Sequence, residues 1–117
     1  MQKLRKHRFF LGTLCELGSK QRTALLKHAT REQVACIAEI ALNLLNGNIK
    51  ISPEAKLKLS RYKTQLRGIV CPKNNLQKRK KLIVQSGGIL PWLIKPALTY
   101  LVGGLIPALK PFLNNNA

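Results

Sequence analysis

The chain has 117 residues, enough for one domain, and its 21 Lys and Arg against four acids give a formal net charge of +17. That imbalance exceeds what solubility requires and points to a polyanionic partner: DNA, RNA or an anionic membrane surface. There is no Asp, the four acids are Glu16, Glu32, Glu39 and Glu54, and His7 and His28 have no evident partner, so neither catalysis nor a cofactor is expected.

Residues 3–17 alternate basic and apolar positions, and Leu4, Phe10, Leu11 and Leu14 are spaced for one helix face that ends at Gly18. Only Phe9 to Leu11 is apolar behind Arg5, Lys6, His7 and Arg8, too short a run for a secretory signal. Ser19 is the expected N-cap of a second helix, Lys20 to Ala29, with Leu25 and Leu26 inward. Thr30 and Gln33 form a capping-box pattern. Behind it, Val34, Ile37, Ala38, Ala41, Leu44 and Leu45 fit a helix that Gly47 terminates after Asn46.

Ile49 to Ile51 is a short extended link. Ser52-Pro53-Glu54 then supplies a cap, a first-turn proline and an early acid for a fourth helix running to about Arg67. Its apolar face is Leu57, Leu59, Tyr62 and Leu66, and the rest is basic: Lys56, Lys58, Arg61, Lys63 and Arg67. Cys71-Pro72 breaks the pattern and Asn74-Asn75 restarts it. The expectation is an all-α fold: a basic bundle of about four short helices over residues 1–70, a basic linker or helix over 71–86, and a hydrophobic tail over 87–117. Nothing marks a recognition helix for reading bases. Cys15, Cys36 and Cys71 are odd in number and widely spaced, which argues against a disulfide framework or a zinc site and for reduced, partly buried thiols.

Lys78-Arg79-Lys80-Lys81, preceded by Lys73, is the densest charge in the chain. A solvated helix face is the plain reading of such a run. Four consecutive cations repel one another without a counter-charge, however, so phosphate binding is preferred, and a nuclear-import signal is also compatible. Phosphate contacts of this kind give affinity without sequence specificity.

Only Lys95 and Lys110 carry charge beyond residue 86. Ile89 to Leu113 is apolar, 25 residues broken by Pro91, Pro96, Pro107, Pro111 and the pair Gly103-Gly104. About 20 apolar residues suffice to cross a bilayer, but the prolines argue against a straight span and for two helical pieces hinged at Gly103-Gly104. Gly87 to Pro96 is echoed by Gly103 to Pro111: a glycine pair, a proline-started apolar turn, then a lysine. As an anchor, this tail would use Ile89, Leu90, Trp92, Leu93, Ile94, Leu98, Tyr100, Leu105, Ile106 and Phe112, with its lysines snorkelling to the surface.

The string Gly87-Gly88-Ile89-Leu90-Pro91-Trp92-Leu93-Ile94-Lys95-Pro96-Ala97-Leu98, directly behind a Lys/Arg-rich stretch, resembles the C-terminal part of the adenovirus core protein X (mu) precursor. It is similar also to proteins of the adenovirus-related Maverick or Polinton elements. The resemblance covers about residues 78–113; residues 1–70 have no counterpart in the adenoviral precursor. It implies a virion core protein of the host nucleus that condenses double-stranded DNA and is cut by a viral cysteine protease near Gly-Gly. That protease favours Met, Ile or Leu two positions before the pair. Gln85 departs from this at Gly87-Gly88, whereas Leu101 fits it at Gly103-Gly104.

Two functions are therefore expected from the sequence. The first is a non-enzymatic core or minor capsid protein that binds double-stranded DNA through Lys56, Lys58, Arg61, Lys63, Arg67, Lys73, Lys78, Arg79, Lys80 and Lys81, with the tail contacting capsid proteins or other copies of itself. The alternative is a membrane-associated protein that inserts residues 89–113 into anionic lipid.

Overall fold

The computed structural model describes the backbone of residues 2–101 and the side chains of residues 4–99, and the described residues are helical with no strand. The expected first helix forms in two pieces, α1 (Gln2–Lys6) and α2 (Arg8–Glu16), bent at His7. The bend docks α1 against the start of α4 (Arg31–Leu45), where Lys6 Nζ lies 3.1 Å and His7 Nε2 3.5 Å from Glu32 Oε2. The hydrogen bond from Lys6 holds the Glu32 carboxyl below its ordinary range, so this exposed contact persists at neutral pH and is lost as pH falls through that lowered value. Leu4, Leu11 and Leu14 are buried, as the spacing predicts.

The next helix, α3 (Ser19–Lys27), starts one residue earlier than expected. Gly18 is the N-cap, its carbonyl accepting from Arg22 N at 2.9 Å, and Ser19 is the first helical residue. α4 follows the sequence closely. Thr30 and Gln33 exchange both bonds of the capping box, at 2.9 and 3.1 Å, satisfying two orphan donors. At the far end Asn48 N bonds Asn43 O, Gly47 N bonds Leu44 O, and Gly47 takes φ +73. That is a Schellman ending, and it requires a left-handed residue. Gly47→Ala is expected to cost about 1 kcal/mol, read as a lower urea midpoint with an unchanged m-value.

The expected fourth helix is also two: α5 (Pro53–Ser60), capped by Ser52 Oγ accepting from Ala55 N at 3.1 Å, and α6 (Lys63–Val70). Short-range bonds from Arg61 N to Lys58 O and from Tyr62 N to Leu59 O close α5 before Tyr62. Leu57, expected on the inner face, is instead 62 % exposed, whereas Leu59, Leu66 and Ile69 are buried. α7 (Leu76–Gln85) starts at Asn75, whose side chain accepts from Lys78 N at 2.8 Å, and it packs on α6 and α3. At the α6–α7 contact Gly68 leaves room for the Leu82 side chain, which a Cβ would meet at 2.5 Å.

The largest departure from expectation concerns the tail. Gly87–Ile89 forms a 3₁₀ turn, and Leu90–Leu101 forms α8, packed on α2 and α4. Leu90, Leu93, Ile94, Ala97 and Leu98 are buried in the same core as Leu11, Ile37 and Ile83. Across the divisions expected after residue 70 and before Gly87, α7 and α8 share one core with the helices of residues 1–70. The physical reason lies in α8, whose apolar stripe at i, i+3, i+4, i+7 and i+8 packs on both α2 and α4. Pro91 sits in the first turn of α8 as expected, and Pro96 lies inside it, lining an outer groove rather than the core.

An arginine holds this junction. Arg22 donates from Nη2 to Leu17 O at 3.0 Å, at the end of α2, and from Nη1 to Gly87 O. In a continuing helix Gly87 O would accept from residue 91, but Pro91 has no N–H to give. Arg22→Met is expected to destabilise the protein by about 2 kcal/mol, measured by urea unfolding, because both carbonyls lose a charged donor.

Candidate nucleic-acid interface

After Glu54 the chain contains no acidic residue, while the stretch from Lys56 to Lys81 carries ten cations. The structure divides those ten into two sets. Lys56 on α5, Arg61 at its end, Lys63 and Arg67 on α6, Lys73 in the connecting loop, and Lys78 and Lys81 on α7 are all exposed. Lys58, Arg79 and Lys80 are committed within the fold. Arg79 Nη2 donates to Cys71 O at 3.0 Å, beyond the end of α6, and Lys80 Nζ donates to Lys27 O at 3.1 Å, at the end of α3. Lys58 Nζ sits 3.9 Å above the Trp92 ring.

The four cations of Lys78 to Lys81 therefore differ in their surroundings. Arg79 and Lys80 turn onto helix C-termini, where a cation is favoured by the helix dipole and by unpaired carbonyls. Lys78 and Lys81, one turn apart, face water. In a chain with four acids, carbonyl oxygens at helix ends take the place of carboxylates as partners for the inner cations. Arg8 repeats the device on Arg5 O at 2.6 Å.

The residues expected to anchor the tail divide in the same way. Ile89, Leu90, Leu93, Ile94 and Leu98 are core residues with at most 2 % exposure, so they are not available to lipid in this fold. Trp92 is half-buried and lies between two depressions. One is an apolar groove of about 670 Å3 between the 49–52 link and the outer side of α8, with Lys50 and Lys95 at its rim. The other is a cleft of about 230 Å3 at the α5–α6 corner. The side chains of Tyr100 and Leu101, and all of Gly103, Gly104, Leu105, Ile106 and Phe112, lie outside what the structure describes. No helix among the described residues is long and apolar enough to cross a membrane.

No protein-family model, curated protein or solved structure matches the chain.

At the first expected processing position, Gly87-Gly88 is held in the 3₁₀ turn. Ser86 beside it is fully buried, with its hydroxyl donating to Leu82 O at 2.8 Å, and Arg22 grips Gly87 O. A protease cleft takes an extended backbone, which this turn is not. The corresponding pair Gly103-Gly104 falls outside the described residues. Cys15 and Cys71 are half-buried and Cys36 is buried, all as thiols, and burial pushes the Cys15 thiol up to about 11. Among the described residues, no three His, Cys, Asp or Glu come together as a metal site would need.

The sequence places Tyr62 on an apolar helix face and Gly88 at a candidate processing position, and leaves Arg22 without a role. The break between α5 and α6 brings Tyr62 to Gly88, and the only visible signal for it was an aromatic set between two cations, Arg61 and Lys63.

Proposed function

We propose that the protein is a non-enzymatic, virus-like core protein that binds and condenses double-stranded DNA without sequence preference. The observation that carries this reading is the set of seven exposed cations on α5, the α5–α6 corner, α6, the 71–75 loop and α7, with no acidic residue after Glu54 to neutralise them. Charges so arranged bind phosphates by releasing counterions, which rewards density of charge rather than base identity. The resemblance of residues 78–113 to the adenovirus core protein X precursor and to Maverick or Polinton proteins supports placement in a virion core and the host nucleus. On the same reading, capsid proteins or further copies of the chain are partners of residues beyond α8, and a viral cysteine protease cuts at Gly103-Gly104 rather than at Gly87-Gly88.

The membrane reading requires Leu93, Ile94 and Leu98 to leave the core before they can enter lipid. The DNA reading requires no rearrangement and is preferred for that reason. Competition between two duplexes of unrelated sequence and equal length tests it. Equal affinities, with compaction of long DNA at charge-matching ratios, are the expected result. A tenfold preference for one sequence would contradict it.

A further inference from the structure

The cleft at the α5–α6 corner is lined by Lys58, Arg61, Tyr62, Gly88, Ile89 and Trp92. Two aromatic rings, two cations and a bare glycine in one concavity are the components that bind a flat aromatic ring attached to a phosphate. From this geometry we infer that the cleft receives one unstacked base of single-stranded nucleic acid, with Arg61 on the adjoining phosphate and Lys58 held over Trp92 at the edge of the cleft. The inference rests on the nucleic-acid reading above and extends it from duplex to single strand.

Each part has a structural cause. The α5–α6 break turns Tyr62 towards the 3₁₀ turn, and the start of α8 presents Trp92 across from it. Lys58 is drawn over the Trp92 ring, which fixes its ammonium at the cleft. Gly88 supplies the opening: a Cβ there would have only the Tyr62 hydroxyl within 4 Å, at 3.9 Å. About 230 Å3 is smaller than the 300–1,000 Å3 of typical small-molecule pockets, and it suits a single ring better than a larger ligand. A paired base cannot enter, because its faces are covered by its neighbours, whereas single strands are bound by stacking on aromatics beside a cationic track.

Trp92 is the only tryptophan in the chain, so its fluorescence reports ligand arriving at this one ring, and the variants below assign the signal to the cleft. Titration of the full chain with a short oligo(dT) is expected to quench that emission saturably, and the matching duplex to quench it weakly. Tyr62→Ala should weaken oligo(dT) binding about tenfold and leave duplex affinity within twofold. Because Tyr62 also touches the core, Gly88→Leu provides a second variant, filling the cleft from a position with open space. It should show the same selective loss with an unchanged unfolding midpoint. Equal loss of single-strand and duplex binding in Gly88→Leu, or no loss of either, would overturn the inference. Absence of binding to both probes by the unmodified chain would instead overturn the nucleic-acid reading itself.

Discussion

Leu93→Ala and Ile94→Ala are each expected to lower the stability of the protein by about 2–5 kcal/mol, and the double variant to be unfolded at room temperature. Both side chains have no exposed surface and lie on the stripe of α8 that packs on α2 and α4. Removing either leaves a cavity among Leu, Ile and Ala neighbours that a close-packed bundle fills only in part. Thr99→Ala, on the exposed side of the same helix, should shift stability by no more than about 0.5 kcal/mol. Urea unfolding followed by far-ultraviolet circular dichroism distinguishes the cases. Losses at the Thr99 level for Leu93 and Ile94 would mean that α8 is an appendage, as the sequence led us to expect. By the same argument a chain ended at Ser86 does not fold, since the apolar faces of α2 and α4 would be left open to water.

The second large effect separates the two sets of cations. Lys78→Gln and Lys81→Gln should each weaken duplex DNA binding roughly tenfold near 0.1 M salt, because each lost phosphate contact removes about 0.9 from the slope of log affinity against log salt. Neither should change the unfolding midpoint, as both side chains are exposed. Arg79→Gln, one position along, should behave in the opposite way. It loses the bond to Cys71 O and costs about 1–2 kcal/mol of stability, with DNA affinity nearly kept. Paired filter-binding and unfolding measurements check the contrast. Equal effects of Lys78 and Arg79 on affinity would restore the view of a single four-charge patch.

Much of the helical pattern was legible because local rules governed it. The Thr30 capping box, the Gly47 ending, the Ser52-Pro53 start and the Asn75 restart each depend on residues within one turn, and each is present as read. The two breaks, at His7 and between Arg61 and Tyr62, were not legible, since helical spacing continues through both. They arise from docking: of α1 onto Glu32, and of Tyr62 towards Gly88. The packing of α8 was not legible for a related reason. An apolar stretch reads the same whether it faces lipid or fills a groove between helices, and only the unfilled faces of α2 and α4 decide between them.

At the candidate site, composition identified the charge but not its division. Seven of the ten expected phosphate-binding cations are exposed, and Lys58, Arg79 and Lys80 are spoken for by an aromatic ring and by helix ends that are distant in sequence. A contact such as Lys80 to Lys27 O leaves no trace in local sequence. Nor does the meeting of Tyr62, Gly88 and Trp92, which come from three separate elements.

The most direct test of the DNA-binding account is the affinity of the full chain for random duplex DNA, measured from low to physiological salt. Engagement of most of the seven exposed cations predicts a linear fall of log affinity with log salt at a slope near −0.9 per contact, a loss of about a thousandfold between roughly 50 and 200 mM. An affinity that changes less than about threefold over that range would contradict phosphate binding as what this protein does.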